Sequence, residues 1–180
     1  MNTFTTDEAV LPTRGGDWYD GGLWQGVFLH KWGTKNDLVK GSWDYLYRVI
    51  AQANKSLDKL NEILAKDPEN TSVPKYISEV RAFRALYYYY LLDMFARVPL
   101  VTSSTTAMAD VEQSERSVVF TFVKTELEES VADLSDAHSN LPGEYYGRIT
   151  KPVAYFLLAK LALNAEIYTC LLYTSPSPRD

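Results

Sequence analysis

Asp17-Trp18-Tyr19-Asp20, followed by Trp24, Trp32 and Asn36, is the stretch whose residue types could do chemistry. A sugar ring has an apolar C–H face and a rim of hydroxyls. Tryptophan and tyrosine rings offer a platform to that face, while Asp and Asn hydrogen-bond to the rim. Asp17, Trp18, Trp24, Trp32 and Asn36 are therefore the candidate ligand-binding residues. The competing reading is that the tryptophans pin a loop to the body of the protein, since large aromatics are mostly buried. Asp17 and Asp20 also invite comparison with a glycosidase, which needs an acid and a base or nucleophile on either side of the sugar. Three residues apart in a Gly-rich turn, they need not face one another, so no catalytic residue is assigned and an enzyme is not expected. There is no nucleotide loop, zinc-type spacing or nucleophile elbow. His30 and His138 fall on different elements and read as structural or exposed. No metal and no cofactor is expected.

These residues need a scaffold, and helical periodicity supplies it. Glu79–Val101, EVRAFRALYYYYLLDMFARVPLV, is the centre of the chain. Ile77, Val80, Phe83, Tyr87, Tyr90 and Met94 recur at steps of three and four and so share one helix face. Ala82, Ala85, Leu86, Tyr89 and Leu92 make the helix apolar nearly all round, the pattern of a helix buried on more than one side. It is expected to start near Val73–Tyr76 and to stop before Pro99, which forces Val98 to be extended. An amphipathic helix is expected over Ser42–Lys66, with Ser42 as N-cap and Trp43, Leu46, Ile50, Ala53, Leu57, Leu60 and Leu64 on its stripe. A third helix runs from Arg116 to about Ala137, its acids Glu126, Glu128, Glu129 and Asp133 expected on a solvated face. A fourth covers Val153–Thr169, with Thr150 as cap and Pro152 in the first turn.

Between these, Met1–Gly41 is loop-like, rich in glycine. Within it Gly21–Trp32 fits either a short helix or an irregular strand. Val101–Ser114 reads as a polar surface loop. The expected fold is all-α: two helical pairs of tetratricopeptide-like kind behind a long irregular N-terminal region, although the strict tetratricopeptide consensus is absent.

Composition narrows the function. The 180 residues carry a net charge of −5 and no basic block, which argues against nucleic acid and against an anionic membrane surface. No apolar run approaches the roughly 20 residues that span a bilayer. The aromatic load is high, with 13 Tyr, 7 Phe and 4 Trp, and three of the tryptophans lie between Trp18 and Trp32.

The last segment, Cys170–Asp180 (CLLYTSPSPRD), resembles the in-frame translation of a transposase sequencing adapter. It is set aside as non-native, and the only cysteine goes with it. The native domain is then expected to be residues 1–169, an incomplete helical domain of a longer protein in which Met1 is an internal methionine.

Taken in order, several segments resemble the SusD/RagB family. They are DEAVLPTRGGDWYDGGLWQ, SWDYLYRVIAQANKSLDKL, the central RAFRALYYYY…RVPLVT, RSVVFTFVKTELEESVADL followed by NLP, and GRITKPVAYFLLAKLALNAEIY. The family consists of nutrient-uptake lipoproteins on the surface of the bacterial outer membrane. The resemblance implies capture of an oligosaccharide for a TonB-dependent, SusC-like transporter. It implies membrane attachment only through an N-terminal lipid anchor, which is absent from this stretch. The family has no fixed set of ligand residues to carry over. Read on the helix pairs alone, the chain would instead be a helical-repeat adaptor for other proteins.

Overall fold

The computed structural model describes residues 2–6 and 8–169; the Cys170–Asp180 segment lies outside the described residues. The chain divides into two compact units, Met1–Tyr47 and Arg48–Asp180.

The first unit is short turns closed onto one small helix. A 3-10 turn at Asn2–Thr5 is followed by a tight reversal in which Arg14 and Asp17 exchange backbone hydrogen bonds of 3.2 and 3.0 Å. A second 3-10 turn, Asp20–Gly22, leads into α1, Leu23–Phe28. The Gly21–Trp32 stretch is thus helical rather than a strand. The chain is close at Gly26: the Lys31 amide donates to its carbonyl at 2.7 Å, and a β-carbon there would meet the Lys31 oxygen at 3.3 Å. The long helix α2 spans Asp37–Lys66, five residues earlier than the Ser42 start expected. Asn36 is the reason. Its Oδ1 accepts from the Leu38 and Val39 amides at 3.0 and 3.2 Å, satisfying donors that every helix start leaves orphaned. Gly41 is carried inside the helix.

The second unit holds the rest of α2, then α3 (Val73–Phe95), α4 (Arg116–Ser130), α5 (Lys151–Leu163) and α6 (Ala165–Thr169). The all-α expectation holds; the only described sheet is a two-residue pairing of β1 (Val98–Pro99) with β2 (Gln113–Ser114), antiparallel. That pairing and a 3-10 turn at Met108–Asp110 give the Val101–Ser114 stretch more structure than a plain loop. α3 begins with Pro74 in its first turn, where a missing N–H costs nothing. Asn70 Oδ1 caps it by accepting from the Ser72 and Val73 amides. It ends at Phe95, and Ala96 at φ 62 turns the chain into β1.

Burial on α3 differs from the stripe read off the sequence. Ala82, Ala85, Tyr88, Leu91 and Leu92 are buried, and α3 packs chiefly on α4, where Val119, Val123 and Leu127 are fully buried. Each of the large buried side chains contributes about 1.5–3 kcal/mol. Ile77, Val80, Phe83, Tyr87 and Met94 are half-buried and Tyr90 is exposed. Periodicity locates a helix that is apolar all round, but not which face a neighbour takes.

Two further expectations need correction. Thr150 sits at the N-cap position of α5, but its buried hydroxyl makes no capping bond. The last helix is not continuous to Thr169: Asn164 interrupts it, its Nδ2 donating to the Lys160 carbonyl at 3.0 Å.

Candidate functional site

In the first unit, Trp18, Trp24 and Phe4 form a row of rings. Trp24 packs edge-on against Phe4 (centroids 5.3 Å apart, 70° between planes) and Trp18 edge-on against Trp24 (6.0 Å, 71°). Asp20, four residues before Trp24, accepts the Trp24 indole N–H at 2.7 Å. The inner ring of the row is therefore fixed at both its edge and its nitrogen, while Trp18 remains 54% exposed and the adjacent Tyr19 57%. The backbone helps present them. Trp18 (φ 60) and Asp20 (φ 39) both occupy the left-handed region, where a side-chain-bearing residue costs roughly 1–2 kcal/mol. Strain of this kind persists where the surroundings over-determine it and collects at functional sites.

Trp32 belongs to a second ring pair. It packs edge-on against His30 (5.4 Å, 79°), and His30 Nε2–H donates to the Thr5 carbonyl at 2.8 Å. That bond ties the segment after α1 back to the N-terminal turn, a structural use of the histidine. Trp32 is 39% exposed. Of the five candidate residues, the structure brings Trp18 and Trp24 into contact. Asp17 closes the Arg14–Asp17 reversal through its backbone, and Asn36 spends its carbonyl oxygen on the α2 cap. Phe4 and Asp20 were not among the candidates. The Asp20/Trp24 spacing of four, at the start of a helix, is the signal that could have found the pair.

The second unit carries a polar cluster that the sequence does not advertise. Arg84, on the buried side of α3, donates from Nε and Nη2 to one oxygen of Glu126 on α4 (3.2 and 2.5 Å). Arg81 donates from Nε and Nη2 to the other oxygen (2.9 and 2.7 Å), and from Nη2 to Glu129. Glu126 is therefore buried, not on a solvated face as expected. Two guanidiniums on the facing helix neutralise it, which is the condition for burying a carboxylate. Glu128 and Glu129 remain exposed, and Asp133, also exposed, accepts from the Ser78 hydroxyl at 2.9 Å.

The same cluster seats the chain that follows β1. Arg84 Nη1 donates to Asn54 Oδ1 and to the Thr102 carbonyl, both at 2.9 Å. Asn54 Nδ2 and the Tyr88 hydroxyl donate to the Val101 carbonyl, and the Val101 amide donates back to the Tyr88 oxygen at 2.8 Å. Ser104 donates to Asp58, and its hydroxyl and amide hold that carboxyl below its ordinary range. Residues 101–104 are thus bonded to α2 and α3 by side chains.

A family model described as "SusD-like_3: Starch-binding associating with outer membrane" matches residues 2–163. The chain belongs to the SusD-like family. The starch-binding protein SusD of Bacteroides thetaiotaomicron is 30% identical over 92 residues, which cover 51% of this chain and 16% of that protein. Among solved structures, a laminarin-binding SusD-like protein is 28% identical with a TM-score of 0.69, over 85% of this chain and 32% of that one. A SusD homolog from Bacteroides thetaiotaomicron, 24% identical with a TM-score of 0.68 over 79% of this chain and 28% of that one, shares the fold. The chain thus spans about a third or less of the SusD-like proteins it matches. The family match extends over both the ring cluster and the buried arginine–glutamate cluster.

Proposed function

We propose that this chain is part of a non-catalytic glycan-capturing protein at the cell surface. It takes up an oligosaccharide in the outer membrane's outer face and passes it to a TonB-dependent transporter. The observation that carries this reading is the exposed Trp18 ring, braced by Trp24, Phe4 and Asp20 on a strained turn. A rigid, half-exposed indole loses little conformational entropy when a sugar face stacks on it. Asp17, Trp24, Trp32 and Asn36 complete the ligand set, Asn36 through the Nδ2 amide that the cap leaves over. Family membership supports a starch- or laminarin-like glucan as the ligand class, since SusD is named for starch and a solved relative for laminarin.

Electrophoresis of the full-length protein through gels containing starch or laminarin tests this. The expected result is retardation by one of the polysaccharides, weakened by Trp18→Ala. Migration unaffected by every neutral glucan tried would overturn the reading. Co-purification of a TonB-dependent transporter from solubilised outer membranes checks the delivery step separately.

A further inference from the structure

A cleft of about 440 Å³ opens in the second unit, between the first turns of α3 and the Leu134–Ile149 connection. We infer that it is a second carbohydrate site, for a short neutral saccharide, built on Tyr76 and Tyr145. The inference does not rest on the Trp18 platform, which lies in the other unit.

Its volume falls in the range of small-molecule pockets. Its polar groups are of two kinds. Some are already committed and rigid. Arg148 makes a two-pronged bond to Glu79, Nε at 2.9 Å and Nη2 at 2.5 Å, and its guanidinium lies over the Tyr145 ring at 4.9 Å. That fixes both the arginine and the tyrosine. Others are uncommitted: the Lys75 ammonium and the Tyr76 and Tyr145 hydroxyls have no hydrogen-bond partner among the described residues, and the Glu144 carboxylate only a 3.7 Å ion-pair contact with Arg148. Donors and acceptors left over beside aromatic rings match a ring of hydroxyls with an apolar face. Tyr76 is 49% exposed, so its ring is within reach of solvent.

Charge sets the specificity. Glu79, Asp133, Asp136 and Glu144 line the cleft with Lys75 and Arg148, and Lys151 pairs with Asp136 at 3.3 Å, so four carboxylates stand against three cations. An acidic sugar would bring a further anion against that excess, and unfavourable juxtaposition of this sort is how a site rejects a competitor. The ligand class is therefore neutral, not uronic or sulfated.

Titration of the Trp18→Ala chain, followed by backbone amide shifts in NMR, isolates this cleft from the first unit. The probes are maltotriose and, as the acidic counterpart, trigalacturonate. The expected result is saturable shifts with maltotriose at Lys75, Tyr76, Asp136 and Tyr145. Tyr76→Ala or Tyr145→Ala should weaken binding about tenfold, and trigalacturonate should give no saturable shift. Tyr76 is exposed, so its truncation leaves the fold intact even if loss of Tyr145 loosens Arg148. Absence of saturable shifts at these amides, equal response to trigalacturonate, or unchanged affinity in Tyr76→Ala would each overturn the inference. Failure of the Trp18 site would leave this result unaffected, because Trp18 is already removed.

Discussion

Arg84 and Glu126 face each other across the α3–α4 contact, each only 6% exposed, with Arg84 Nη2 2.5 Å from Glu126 Oε2. The pair joins the two most closely packed helices of the second unit to the segment after β1. Breaking a buried pair by removing one partner leaves a stranded charge and costs about 3–5 kcal/mol, whereas replacing both by apolar residues is often close to neutral. Glu126→Ala is therefore expected to lower stability by about 3–5 kcal/mol, a large share of the roughly 5–15 kcal/mol that holds a domain together. The double variant Arg84→Met/Glu126→Leu removes the stranded charge but also the Arg84 bonds to Asn54 and Thr102, so it should recover only part of that loss. Urea unfolding followed by circular dichroism measures both. A single variant as stable as the parent would mean the cluster is solvated rather than buried.

Tyr88 gives the stability an alkaline limit. Burial pushes its phenol up from 10.0 to about 12, opposed by the Val101 backbone bond and by Arg84. The unfolded chain ionises this tyrosine near pH 10 while the folded chain does not. The contribution is thus complete below pH 10, falls as pH rises from 10 to 12, and levels off above. The loss over that window is on the order of 3 kcal/mol. Tyr168, also raised by burial and by its bond to Asp93, acts in the same direction. Tyr88→Phe should cost about 1–3 kcal/mol at neutral pH, since the Val101 amide loses its acceptor while the Val101 carbonyl keeps only the Asn54 amide. It should also show a shallower decline above pH 10 than the parent. Unfolding curves at pH 8, 10 and 11 check both, and parallel declines would contradict the assignment.

Asn36 separates capping from binding. Asn36→Ala should lower stability by about 1 kcal/mol through loss of the α2 cap. Asn36→Asp keeps the acceptor and places an anion at the positive helix end, so stability should be retained. It removes the Nδ2 donor, however, so glucan affinity should fall while the melting temperature does not. Thermal unfolding and a saccharide titration on the same two variants give the comparison. Affinity unchanged in Asn36→Asp would confine the residue to its cap.

Several of these relationships were legible in the residues and several were not, for physical reasons. The start of α3 near Pro74 and its end before Pro99 follow from backbone sterics that act locally, and the structure obeys them. The aromatic cluster of the first unit was likewise visible as residue types at close spacing. What local pattern could not supply was long-range pairing. Glu126 reads as one of four acids on a helix, and only the presence of Arg81 and Arg84 on the facing helix buries it. The buried side of α3 is not legible for the same reason: nearly every position is apolar, so the choice belongs to the neighbouring helices. The start of α2 lies before Ser42 because the Asn36 side chain caps it there, and Gly41 is carried inside the helix rather than ending a loop.

The most direct test is the intrinsic tryptophan fluorescence of the chain on titration with malto- and laminari-oligosaccharides, comparing the parent with Trp18→Ala and Trp18→Gly. A stacked sugar on Trp18 should give a saturable change in the parent. Both variants should bind about tenfold or more weakly, the equivalent of at least ~1.4 kcal/mol. Trp18→Gly should at the same time be more stable than Trp18→Ala by roughly 1 kcal/mol, because glycine relieves the left-handed backbone at this position. Equal affinities in the parent and in both variants would contradict the placement of the glycan on Trp18.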